Sequence, residues 1–583
     1  MRSFVLLGLL VYCANLAAQE NNTALNQLFD AYQEEMYVLN PLSATVNGDN
    51  RYNDQLPISF TDSYKLKQER LTKKYLSSLL RFNRESLNDN DKLSYDVFKW
   101  QAEMALEGLK YKGNRIPISQ FGGIHQQLPQ AGSGTGFQPF KSVKDYDNWL
   151  SRAGTFPAWT DSIVVYFRKG IAEGIVLPKI LVQKLIPQLE GFNKGDATQS
   201  IFYGPVKNFP DDFSEADKNR LTEAYIDLIS NQLTPSYRKL TKFVSEEYLP
   251  AARTTSGFSA LPGGRVWYDY NVRYITTTRK TPEEIFDLGL TEVKRIREEM
   301  EKVKQSVGYT GTLNEFLEYL RTDPKFFPYK NAEEILEGYR NIEARINPVL
   351  KTMFLNVPKT PFEVRQTESF RAASAAAQYF AGLADGSRPG IFYVPIVDAT
   401  KVKVRESLFI HEAVPGHHYQ IMLQRENEQL PAFRRFGGFT SYAEGWGLYT
   451  ESLGKELGLY TDPYQYMNAL GDEIHRAIRL VVDPGLHIKG WTREQAIKYM
   501  LENSPITEQG ATAEIERYMA IPGQAVAYKV GSLKIQELRA KFEKQLNTAF
   551  NLAEFHHQIL KDGALPLELL EQKLNAWAKG KKD

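Results

Sequence analysis

The 583-residue chain is 42% hydrophobic and 24% charged, with 71 basic against 70 acidic side chains. That length is enough for a large buried core, and the composition excludes both disorder and a fibrous repeat. A formal charge of +1 leaves no basic surplus to gather phosphates, so no nucleic-acid partner is expected.

Residues 1–18 read as a secretory signal peptide: Arg2, then the apolar run Phe4–Val11, then Leu16-Ala17-Ala18 before the polar Gln19–Asn22. The run is too short to span a bilayer, so no membrane span is expected after cleavage, and the protein is expected to be periplasmic or secreted. Cys13, the single cysteine, falls inside this leader, preceded by Tyr12 where a lipid-attachment site calls for a small residue. Without it the mature chain has no disulfide, no thiol nucleophile and no Cys-ligated metal.

Residues 19–253 read as a helical region with a periodic segment at Asp217–Leu233 and a Gly/Gln-rich loop at Gly122–Gly136. The Pro/Gly run Thr254–Gly264 is the best boundary. Residues 254–583 follow as a metal-binding catalytic region, expected to form one continuous fold with the first. Arg265–Ile275 alternates and is rich in aromatics, which predicts a strand. Thr281-Pro282-Glu283-Glu284 is a helix start with a capping box. Phe286, Leu290, Val293, Met300 and Val303 predict its apolar face, broken by Arg297. Ala332–Ile346, Arg493–Leu501 and Ser532–Leu546 are further helical patterns. Gly390–Val397 is a second strand, and Pro395 predicts an edge position open to an extended peptide. The expected fold is mostly α, with a small β-sheet near the active site.

Of the eight histidines, three stand at His411, His417 and His418, beside Glu412. Neutral imidazoles bind zinc, and a carboxylate beside a ligand can act as general base toward the water that zinc activates. The common spacing is i and i+4 on one helix. Here His417 falls roughly 120° around a straight helix from His411, and His418 lies about 10 Å along it. Pro415-Gly416 offers a way out, because a broken turn can carry His417 back toward His411. The alternative is a plain helix-breaking turn with surface histidines. Glu444, set among small and aromatic residues, is the best third ligand or else an ion-pair member. Glu451, two turns on, is the alternative ligand or a supporting group.

The runs HEAVPGHHYQ from His411, YAEGWGLYTE from Tyr442, RLVVDPGLHIKGWTREQA from Arg479 and PGQAVAYKVG from Pro522 resemble the bacterial DUF885 family. A weaker likeness reaches back to Ala260–Gly264. Such proteins resemble mainly helical zinc peptidases with a His-Glu…His plus Glu ligand set. The resemblance implies zinc held by His411, His417 and Glu444, with Glu412 as general base and His418 ranked behind His417. By analogy with helical zinc peptidases, Tyr528 is the oxyanion donor. Tyr518 is its runner-up and His487 a second candidate, and each of these also reads as a packing residue. Arg476, Arg479, Arg517 and Arg388 are candidates for a substrate carboxylate, or for ordinary ion pairs. The expected function is an exported zinc metallopeptidase acting on short peptides, of oligopeptidase, carboxypeptidase or dipeptidase type. The alternatives are a zinc amidase or esterase on a non-peptide substrate, and an inactive exported binding protein.

Overall fold

A computed structural model describes residues 22–193, 195–368, 372 and 376–581, so the expected leader lies outside the described residues. The chain is mostly α, with one three-stranded sheet among the described residues. No described helix is long and apolar enough to cross a membrane.

The elements that position the site begin at α1 (Gly264–Thr276), α2 (Pro282–Ser306) and α3 (Ala332–Met353). The strand predicted at Arg265–Ile275 is therefore a helix. Tyr268, Val272 and Thr276 are buried at a spacing of four, while Tyr270 stacks on Tyr274 along another side, 5.9 Å between rings. Two apolar faces of one helix imitate the alternation of a strand. The loop expected at Gly122–Gly136 contains a helix, Ile124–Gly132, whose Ile124, Leu128 and Ala131 enter a core.

Helix α2 starts as read: Thr281 Oγ1 accepts from Glu284 N at 3.2 Å, and Glu284 Oε2 accepts from Thr281 N at 2.8 Å. Its buried face is rotated from the predicted one. Ile285, Gly289, Val293, Ile296, Met300 and Val303 turn inward, and Leu290 is exposed. Gly289 decides this, because a Cβ there would stand 2.7 Å from Leu480 Cβ. The helices pack closely along that small side.

The sheet is β1 (Phe362–Gln366), β2 (Gln378–Phe380) and β3 (Gly390–Val394), in the order β1-β3-β2. β3 pairs parallel with β1 and antiparallel with β2. It is the central strand, which corrects the edge position expected from Pro395 and removes it as a docking strand for a peptide. Pro395 follows the last paired residue, Val394, so its missing N–H costs the ladder nothing.

Then come α4 (Glu406–Glu412), α5 (His417–Glu426), α6 (Thr440–Ser452), α7 (Pro463–His487), α8 (Arg493–Asn503), α9 (Glu508–Ala520) and α10 (Ala527–Leu546). Two large apolar cores hold them. One takes Ile474, Ile478 and Val482 of α7 with Tyr518 of α9. The other takes Phe409, Ile410, Tyr442, Trp446 and Tyr449. Both draw residues from either side of Thr254–Gly264. Helices α6 and α10 cross at two glycines. A Cβ on Gly531 would lie 1.9 Å from the Ser441 carbonyl oxygen and 2.7 Å from Gly445 Cα. Gly531→Val is expected to lower the unfolding free energy by about 2 kcal/mol or more, read from urea denaturation. Wild-type stability in that variant would contradict this close crossing.

Candidate metal centre

Helix α4 ends at Glu412, and α5 begins at His417. Between them the backbone leaves the helix at Ala413 (φ −102°, ψ −110°) and Gly416 (φ −75°, ψ −124°), and the Val414–Pro415 peptide is cis. Gly416 is forced, because a Cβ there would stand 2.0 Å from the His411 carbonyl oxygen. A broken helix exposes carbonyls that need donors. Helix α6 supplies them: Thr450 Oγ1 donates to Ile410 O at 2.8 Å, and Trp446 Nε1 donates to Pro415 O at 2.9 Å.

The same helix brings the acids. Glu444, Gly447 and Glu451 share one face of α6, at i, i+3 and i+7. Gly447 lies flat against the His411 ring; a Cβ there would meet three ring atoms at 2.8–3.0 Å. His411 Nδ1 is 2.7 Å from Glu451 Oε1. That bond assigns the proton to Nδ1 and leaves Nε2 as the donor atom. His411 Nε2 lies 3.6 Å and His417 Nε2 3.5 Å from Glu444 Oε2. The two rings stand nearly perpendicular, centroids 4.8 Å apart. The three ligand-type atoms all fall within 4.8 Å of one another.

Electrostatics favour a cation. Burial disfavours protonation of His411, but hydrogen bonding to Glu444 and Glu451 outweighs it and pushes its pKa up to about 10. Burial alone would raise Glu444; the bonds to His411 and His417 instead hold it well below the usual carboxylate range. Glu412 is buried, which raises its pKa against the opposing pull of His411 and His417. Three carboxylates thus gather at two imidazoles. Arg476, 3.7 Å from Glu451, offsets one of them. The charge that remains is what a divalent ion would neutralise. Two of the three donor separations match a zinc site, since ligands about 2.0–2.1 Å from a tetrahedral zinc stand roughly 3.4 Å apart and Glu444 lies 3.6 and 3.5 Å from the two imidazoles.

Beside the cluster lies a cavity of about 1230 Å³, bordered by Glu412, Tyr339, Arg405, Asp472, Arg476 and Arg479, among others. Tyr528, at the start of α10, packs under Arg479 with its ring 4.5 Å from the guanidinium carbon. Burial first, then the charge of nearby Glu444, raises its pKa.

Several expected site residues have other duties. His418 turns away from His411: its Nδ1 meets the Tyr379 hydroxyl at 2.8 Å, its ring packs on Phe362, and burial lowers its pKa to about 4. His487 is wholly buried. Its Nδ1 accepts from Phe258 N at 3.1 Å and its Nε2 donates to Tyr518 O at 3.1 Å, so it has no proton to offer an oxyanion. The Tyr518 hydroxyl is committed to Glu514 and to Arg479 Nε. Arg517 is spent on Gln524 and Glu514 at 2.7 and 2.9 Å. Arg388 is exposed on the turn before β3 and bonds back to Ala381 O at 3.3 Å. Glu451 supports His411. The anchor beneath carries no sequence signal: Asp472 accepts from Arg405 and, at 2.7 Å, from Ser407 Oγ, tying α7 to α4. Gly447 carries a faint one, a Gly between two acids on one helix face, which marks a side where a ring can lie.

A mostly helical protein with a buried His–His–Glu cluster, whose neighbour Glu412 stands on the wall of a large cavity, is the class that fold and site define. The chain belongs to the DUF885 family, described as bacterial protein of unknown function, which matches residues 41–574. It is similar to a solved structure from Colwellia psychrerythraea described as a "putative lipoprotein": 29% identity, TM-score 0.89, covering 96% of this chain and 99% of that one. A "putative lipoprotein of unknown function" from Shewanella oneidensis shares the fold at 19% identity and TM-score 0.74, covering 94% and 99%. No curated protein matches the chain.

If Glu451 orients His411, Glu451→Gln should weaken zinc binding about 10- to 100-fold, measured by chelator competition, with the circular-dichroism spectrum unchanged. Undiminished affinity would reduce Glu451 to a packing residue.

Proposed function

We propose that this protein is an exported zinc-dependent hydrolase of peptide bonds. One observation carries the reading: His411, His417 and Glu444 present three ligand atoms to one point, and Glu412, next in the chain, borders the adjoining cavity. Zinc bound by that trio would supply Lewis acidity and a water acidified to a pKa of about 7. Glu412 would take a proton from the attacking water and return it to the leaving amine, and burial favours its carrying that proton. Tyr528 is the remaining candidate to donate to the developing oxyanion, now that His487 and Tyr518 are otherwise bonded. The cavity exceeds the roughly 300–1,000 Å³ of ordinary small-molecule pockets, which suits a short peptide. Export is supported by the leader-like first 18 residues and by the lipoprotein descriptions of the two similar structures.

The test is metal analysis of the purified protein with digestion of a mixed peptide library, with and without chelator. Chelator-sensitive cleavage is expected. Glu412→Ala should retain zinc and lose at least about 100-fold in kcat. A zinc-loaded wild type that cleaves no peptide would sink the peptidase reading, and full activity in Glu412→Ala would sink the assigned base.

A further inference from the structure

Arg479 is buried, only 7% exposed, yet borders the cavity. Its guanidinium is held by three partners. Nε donates to the Tyr518 hydroxyl at 2.9 Å, and Nη2 reaches Glu514 at 3.0 Å and His475 Nε2 at 3.1 Å. Nη1 has no acceptor among the described residues, and neither has Nε of Arg476 one turn earlier. A buried donor left unpaired costs about 1–3 kcal/mol, which an acceptor brought to Nη1 from the cavity would offset.

Charge points the same way. Glu514 is shared between Arg479 and Arg517, so one carboxylate faces two guanidinium groups that never lose their protons. On the same wall Arg405 and Arg476 share Asp472, and Arg476 also lies near Glu451. Glu514 leaves positive charge over at Arg479 and Arg517, and of these two Arg479 borders the cavity.

We propose that Arg479 receives the terminal carboxylate of a short peptide lying in the cavity, so that the substrate is a peptide with a free C-terminus. The cleavage step rests on the peptidase reading above; the binding step does not. Helix α7 sets the register. Arg476 lies 3.7 Å from Glu451, which bonds His411, and Arg479 follows three residues later, about 4.5 Å along the axis. An extended peptide advances roughly 3.3 Å per residue. With Arg479 one turn beyond Arg476, the proposal sets the scissile bond one or two residues from the C-terminus. Tyr528 is stacked on Arg479 and close enough to Glu444 to feel its charge, which ties the guanidinium to the donor cluster.

The test pairs one N-blocked pentapeptide as free acid and as C-terminal amide. Zinc-loaded wild type should cleave the acid at least about tenfold more efficiently, releasing one or two C-terminal residues. Arg479→Gln should erase that discrimination, through KM rather than kcat, and Arg479→Lys should retain part of it. Because these variants alter a buried network, a second measurement uses the unmutated, zinc-free protein. Millimolar N-acetyl dipeptide acid should raise its Tm, and the dipeptide amide should not. Equal treatment of acid and amide by the wild type, or an intact preference for the acid in Arg479→Gln, overturns the proposal. Stabilisation by the acid with no peptide cleaved by the zinc-loaded protein would sink the peptidase reading and leave the carboxylate site standing.

Discussion

The contact between the broken α4–α5 turn and the flank of α6 is what the rest of the site depends on. Interrupting a helix in a buried place frees carbonyl groups that water cannot reach. Thr450 and Trp446 satisfy two of them, Gly447 makes room for an imidazole, and Glu444 and Glu451 meet the two rings. One helical face thus repairs the backbone, seats a side chain and completes the donor set. Any shift of α6 disturbs all three, and its own position is pinned by the glycine crossing with α10.

Around this contact the two cores divide the labour. The core holding Phe409, Tyr442 and Trp446 fixes the donor atoms. The core holding Ile474, Ile478 and Tyr518 fixes the cavity wall that bears Arg479. Helix α7 belongs to both, since its Ala469 packs in the first of these and its Ile474 in the second. The Arg405–Asp472–Ser407 link keeps that helix in step with α4.

How much of this the sequence disclosed follows the range of the interactions involved. The start of α2 was legible because a capping box is decided within four residues. The His–Glu cluster was legible because its residue types are rare and close together, and the Pro-Gly pair gave its odd spacing a physical reason. The rotated face of α2 was not legible, because Leu480, the neighbour that favours Gly289 on the inside, is almost two hundred positions away. His418 and His487 could not be separated from the histidines of the cluster for the same cause: Tyr379, Phe258 and Tyr518, which hold them, come from distant segments. Glu444 and Glu451 lie on one helix face, and only the placement of His411 between them tells ligand candidate from support. Arg265–Ile275 misled because a helix with apolar residues on two sides has no single stripe.

The core that grips α4 and α6 also contains Leu25, Phe29 and Phe98 at one end of the chain and Leu567, Leu570 and Leu574 at the other. The imidazoles therefore reach their final spacing only when both extremities have joined the molecule. Small zinc modules fold around their ion, and binding supplies the folding energy. A donor cluster assembled from so much of the chain differs from such modules: an ion taken up by His411, His417 and Glu444 would enter a scaffold that both ends of the core already hold, so the metal-free chain should be a stable species.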